Sequence, residues 1–124
     1  MIEYTVKVHL NDTKKWWLNG ELHREDGPAV EWANGSKFWY LRGQRHREDG
    51  PAVEWANGDK AWYLNDELHR EDGPAIEYSY GFKAWWLNGK KVTKEEHNRL
   101  TSKVVEMTVE EISKALGKKV KVVE

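Results

Sequence analysis

The 124-residue chain has no cysteine. Disulfides, thiolate metal sites and cysteine nucleophiles are thereby excluded. Nor is there an excess of either charge, since 20 Lys plus Arg stand against 21 Asp plus Glu. A protein that grips nucleic acid through phosphates shows a basic excess or patch, so the balance argues against nucleic acid as a partner. No apolar run approaches the roughly 20 residues that span a bilayer, and no membrane insertion is expected. The opening Met1-Ile2-Glu3-Tyr4 has no basic segment leading into an apolar stretch, so no signal peptide is expected. Also missing are a phosphate-cradling Gly loop, a Gly-x-Ser-x-Gly elbow and a His-Glu-x-x-His pair. A single cytoplasmic domain without cofactors is the expectation.

What is present is Trp, 8 times, and charge, 33% of all residues. Aliphatic residues are too few for a two-layer core. The combination suggests a thin structure in which rings cover backbone and charges pair across strands.

The chain repeats itself, and such a period is the primary clue to architecture. His23, His46 and His69 are 23 residues apart. Asp26, Asp49 and Asp72 keep the same step, as do Pro28, Pro51 and Pro74. So do Trp16, Trp39, Trp62 and Trp85, and Leu18, Leu41, Leu64 and Leu87. Residues 6–11 form a degenerate first copy, with Asn11-Asp12 where Asn34-Gly35 stands later. The last copy breaks after Asn88-Gly89, and Val92 replaces the His. Terminal copies face solvent and are expected to be atypical.

Each copy has two turn signals. One is Ala-Asn-Gly (residues 33–35 and 56–58); the other is Asn-Gly or a variant (Asn19-Gly20, Arg42-Gly43, Asn65-Asp66, Asn88-Gly89). Asn-Gly between β-formers marks a type I′ hairpin, which implies two strands per copy. The short strand is residues 37–41 and its equivalents. The long one runs through His-Arg-Glu-Asp-Gly-Pro-Ala-Val-Glu-Trp, with a bulge or bend at Gly-Pro. Two-residue turns at both signals set Val30 and His46 opposite Trp39, and Trp32 and Glu48 opposite Lys37. Val30, Trp32, Lys37, Trp39, Leu41, His46 and Glu48 would then share one face, with Phe38 and Tyr40 on the other. Lys14–Glu25, Lys37–Glu48 and Lys60–Glu71 would be cross-strand ion pairs.

The tail changes character. Thr93-Lys94-Glu95-Glu96 is a capping box, followed by His97, Leu100, Val104 and Met107 at helical spacing. Thr108-Val109-Glu110-Glu111 is a second capping box, and residues 118–123 have a strand pattern. The expected fold is mainly β (α+β overall): a single-layer antiparallel meander over residues 1–92, and a helical cap over residues 93–124 ending in a short strand.

The pattern common to the copies, Trp-Tyr-Leu-Asn-Gly-Glu-Leu-His-Arg-Glu-Asp-Gly-Pro-Ala-Val-Glu-Trp-Ala-Asn-Gly, resembles the MORN-type repeat. It is most similar to the variant of bacteria and of large phages and viruses. The likeness covers residues 6–91 and implies a β-meander with a role in interaction.

His23, Glu25 and Asp26 invite a metal or catalytic reading. Successive His, however, would stand about 9.6 Å apart, too far to share one zinc, whose ligands lie within about 4 Å of each other. Three identical copies suggest structure instead. The expected structural ladder is Trp16, Trp39, Trp62 and Trp85 with His23, His46, His69, Asp26, Asp49 and Asp72. The binding candidates are Trp32, Trp55, Tyr40, Tyr63, Tyr78, Trp17 and Trp86, with no catalytic or metal residues. The expected function is a non-catalytic protein-interaction or scaffold module. If the chain is phage-encoded, the partner would be a host protein such as a defence-system component. Two alternatives remain open: a small-ligand or nucleotide binder using Trp/Tyr stacking, and an enzyme or metal site on the His-Arg-Glu-Asp rows. A homodimer through an edge strand is also open.

Overall fold

The computed structural model describes residues 3–102. Fourteen strands and one helix occur among them. The first copies contribute β1 (Thr5–Val8), β2 (Lys14–Leu18), β3 (Glu21–Leu22), β4 (Val30–Glu31), β5 (Lys37–Phe38), β6 (Tyr40–Leu41) and β7 (Gln44–Arg45). Then come β8 (Val53–Glu54), β9 (Lys60–Ala61), β10 (Tyr63–Leu64), β11 (Glu67–Leu68), β12 (Ile76–Glu77), β13 (Lys83–Leu87) and β14 (Lys90–Val92). Helix α1 (Lys94–Thr101) closes the described part. All pairings are antiparallel. The main sheet runs β1-β2-β4-β5-β8-β9-β12-β13-β14, with β3 on β2; β6-β7 and β10-β11 are small companion sheets. The fold is therefore mainly β: an open meander with a helix at its end. Met107, Val104, the second capping box and the strand pattern of residues 118–123 lie outside the described residues.

The two turns differ. Arg42 and Gly43 both take positive φ (51° and 78°), as a type I′ turn requires. Leu41 then faces Gln44, Tyr40 faces Arg45, and the His46 N–H donates to the Trp39 carbonyl. The expected Trp39–His46 juxtaposition is thus present. At Ala-Asn-Gly only the Gly is left-handed (Gly35, φ 94°). The Trp32 N–H donates to the Ser36 carbonyl and the Gly35 N–H to the Trp32 carbonyl. The turn is one residue longer than a two-residue hairpin, so Val30 faces Phe38 and Glu31 faces Lys37. A slip of one residue exchanges the faces of a strand. Phe38, not Trp39, therefore shares a face with Val30 and Trp32, which corrects the expected pairing and face.

The second correction concerns the long strand. Trp39 donates its N–H to the Ala52 carbonyl while its own carbonyl accepts from His46. Residues 46–52 thus stand opposite a single residue, and Arg-Glu-Asp-Gly-Pro is extruded as a loop rather than carried as a bulge. Glu48 consequently never reaches Lys37. Lys37 lies opposite Glu31 and Glu54, and Lys60 opposite Glu54 and Glu77. The Lys14–Glu25 and Lys60–Glu71 pairs fail for the same reason: Lys14 faces Glu31.

The fully buried apolar groups are small and recur by copy: Ala29, Ala52 and Ala75 are 0% exposed, and Val30 and Val53 are 1% and 5% exposed. A single layer cannot hide large side chains on both sides, so its core is a thin line of Ala and Val. Helix α1 begins at its Thr93 cap, whose Oγ1 accepts from the Glu96 N–H at 3.0 Å. It packs on β13 through His97, 2% exposed. The His97 Nε2–H donates to the Arg70 carbonyl at 2.6 Å. Lys94 places its ammonium 5.9 Å from the Trp85 ring centre.

Candidate functional site: the extruded loops and the aromatic row

The extruded loop is organised around its arginine. In the middle copy the Arg47 guanidinium lies flat on Trp39, with Cζ 3.9 Å from the ring centre. Its Nε donates to Asp49 at 3.0 Å, and Nη1 to the Pro51 carbonyl at 3.1 Å and to Glu54 at 3.4 Å. Arg24 and Arg70 repeat this on Trp16 and Trp62 at 4.0 and 3.9 Å, with Asp26 and Asp72 as their Nε partners. Gly50 explains itself here: a Cβ would stand 2.8 Å from the Arg47 Cζ. A side chain there would push the guanidinium from its place over Trp39. Asp72 is held below the ordinary carboxylate range by its bond from Arg70, against the opposing effect of burial.

The histidines tie one copy to the next. His23 Nδ1 accepts from the Arg42 N–H at 2.9 Å, His46 Nδ1 from the Asn65 N–H at 3.0 Å, and His69 Nδ1 from the Asn88 N–H at 2.9 Å. Nδ1 is therefore the unprotonated nitrogen, and Nε2 faces Glu25, Glu48 and Glu71 at 3.4, 3.6 and 3.7 Å. The ring satisfies the first N–H of each of these three type I′ turns. Among the described residues no three His, Asp or Glu side chains converge as metal ligands would.

On the opposite side the rings have few polar partners. Phe38 meets Trp32 and Trp55 edge-on, at centroid distances of 5.7 and 4.9 Å. Tyr78 stacks with Tyr80 at 5.3 Å and lies 5.8 Å from Phe82. Trp32, Trp55, Tyr80 and Phe82 are 37%, 49%, 76% and 54% exposed. Lys15 sits 5.3 Å from the Trp32 ring centre.

The candidate binding residues thus divide. Trp32 and Trp55 join the exposed row, with half-buried Tyr78. Tyr40 and Tyr63 are taken up between copies: Arg45 stacks on Tyr63 at 4.2 Å and bonds Asp66 at 2.6 Å. Burial pushes the Tyr40 hydroxyl above its ordinary pKa. Burial works against the Arg45 charge, but the Asp66 bond together with attraction to Tyr63, Asp66 and Tyr40 raises its pKa overall. Trp17 and Trp86 are half-buried, and each hides its Nε1 without a hydrogen-bond partner among the described residues. Phe38, Tyr80, Phe82 and the arginines were not among the expected site residues, although Arg24, Arg47 and Arg70 keep the 23-residue step as strictly as the tryptophans. No family model matches the chain, and no curated protein or solved structure matches it.

Proposed function

We propose that the protein is a non-catalytic interaction module that binds another protein through the aromatic row. The observation that carries this reading is the exposure of Trp32 and Trp55 around Phe38. Contiguous exposed aromatics mark interaction surfaces, and Trp and Tyr dominate binding hot spots. The loop arginines, by contrast, are already engaged within the fold. The resemblance to MORN-type repeats of bacteria and of large phages and viruses supports a role in interaction; if the chain is phage-encoded, the partner is a host protein in the cytoplasm. Among the described residues no helix is long and apolar enough to cross a membrane.

The test is capture from a lysate with the full chain and with a Trp32→Ala/Trp55→Ala variant. A protein retained by the first and lost by the second, at an unchanged circular dichroism spectrum, is the expected result. Equal retention by both would sink the reading. A nucleotide stacked on Trp32 beside Lys15 is the competing occupant; titration with nucleotides that quenches Trp fluorescence would favour it.

A further inference from the structure

The loops create a second surface on the other side of the sheet, since Trp39 follows Phe38 and points the opposite way. Between successive loops lie two grooves of the same build, of about 650 and 640 Å³. The first is floored by Trp39 and Leu41, the second by Trp62 and Leu64. Each is walled by two arginines and four carboxylates. The arginines are folded into their own loops. Glu48 faces His46 and Asp49 accepts from Arg47, yet these two carboxylates, shared by both grooves, remain 84% and 88% exposed in their side chains. A third groove of 580 Å³ follows on Leu87 and Val92, with Glu71 on one side, Glu96 of α1 in place of the missing next loop, and Lys90 in its lining instead of a Trp floor. An apolar floor under a carboxylate rim suits an arginine or lysine side chain: methylenes on the Trp and Leu, the cation at the rim.

Spacing narrows the ligand further. One copy is two strands, so neighbouring grooves are about 9.6 Å apart. A polyproline II helix has three residues per turn and advances about 9.3 Å per turn, presenting every third side chain on one face. A β-strand covers a similar distance in three residues but turns that side chain away. We propose that the groove row binds a proline-rich basic peptide in the polyproline II form, with one cationic side chain entering each groove.

The test uses the full chain and fluorescein-labelled peptides in an anisotropy titration. (Arg-Pro-Pro)4 should bind with micromolar affinity. (Arg-Pro-Pro-Pro)4 has equal charge but the wrong period, and should bind at least tenfold more weakly. Equal affinity for the two would reduce the effect to nonspecific charge attraction and overturn the proposal, as would no binding at millimolar peptide. Glu48→Gln/Glu71→Gln alters groove walls and leaves the arginine bonds in place; it should weaken binding at least tenfold at an unchanged melting temperature. Trp32→Ala/Trp55→Ala should leave the peptide affinity unchanged. If it weakens binding as much as the glutamate pair does, the peptide sits on the aromatic row and the assignment to the grooves is wrong.

Discussion

The two sides of each copy are built on opposite terms. On the loop side Arg47 alone stacks on Trp39 and bonds Asp49, the Pro51 carbonyl and Glu54, while closing against Gly50. On the turn side one side-chain bond adds to the strand pairing between each copy and the next: Thr13 Oγ1, Ser36 Oγ and Asp59 Oδ1 accept from the N–H of Ala33, Ala56 and Ser79. The sequence varies accordingly. Thr, Ser and Asp fill one turn-side position, and Trp, Trp and Tyr another, yet Arg-Glu-Asp-Gly-Pro is letter-identical in all three copies. A residue with several simultaneous contacts cannot be exchanged; one that supplies a single acceptor or a ring surface can. The loop side fixes the geometry, and the turn side is left to carry exposed rings.

The largest effect should come from breaking the loop side. Arg47→Ala removes the stack and leaves Pro51, Asp49 and Glu54 without their donor. A cation–π contact and charge-assisted hydrogen bonds of this kind together suggest a loss of about 2–3 kcal/mol, read from the urea midpoint. Gly50→Ala keeps every charge but displaces the guanidinium, and overpacking of this sort costs about 1–3 kcal/mol. Should Gly50→Ala be neutral, the loop is not closed against the arginine. His46→Ala deprives the Asn65 N–H of its acceptor; the site is exposed, so about 1 kcal/mol is expected. A turn-side change as costly as Arg47→Ala would erase the distinction between the two sides.

The contrast also explains what the sequence disclosed. Two strands per copy and the Arg42-Gly43 hairpin were legible because type I′ turns need left-handed residues that few side chains tolerate. The Ala-Asn-Gly turn was misjudged by one residue because Asn precedes Gly in both turn types, and nothing local shows that Asn34 stays right-handed while Gly35 does not. That single residue exchanged the faces and set Phe38 among the tryptophans. The extruded loop was hidden differently. Gly-Pro inside a strand pattern suggests a bulge, and the closure depends on Arg47 meeting Trp39, eight residues back in sequence. The constant spacing of Arg, Asp and Gly within the loop was the available signal. Trp32 and Trp55 were among the expected binding residues, but that Tyr40 and Tyr63 would be taken up between copies was not legible, because burial on a single layer depends on which neighbours the register supplies.

Acid should separate the two sides next, and more gently. Asp59 is held below the ordinary carboxylate range, first by the Ser79 N–H it accepts and further by Asn57. A carboxyl with a depressed folded-state pKa contributes stability that is complete above its unfolded value, near 3.9. That contribution disappears as pH falls through the folded value. Asp59→Ser restores the residue used at position 36, keeps an acceptor for Ser79 and removes the titration. The variant should lose less stability than the parent as pH is lowered from about 5 to 3. Parallel pH profiles would mean that Asp59 does not hold the turn.

The smallest expected change is a gain, at the degenerate first copy. Asp12 occupies the place of Gly35: the His9 N–H donates to the Thr13 carbonyl and the Asp12 N–H to the His9 carbonyl, as Trp32, Ser36 and Gly35 do one copy later. Asp12 therefore carries a φ of 72°, in the left-handed region that disfavours side chains. Asp12→Gly relieves that cost but enlarges the freedom of the unfolded chain. Asp also tolerates this region better than most residues, so the net gain should stay below about 1 kcal/mol. Gly35→Asp, the reverse exchange in a complete copy, should destabilise by a similar amount. Its Cβ meets nothing within 4 Å at that position, so backbone strain is the only local cost. Equal and opposite shifts in melting temperature would show that the first copy differs from the others in turn chemistry alone. A loss from Asp12→Gly would mean that the Asp side chain supports the open end of the sheet, where every residue of β1 is exposed.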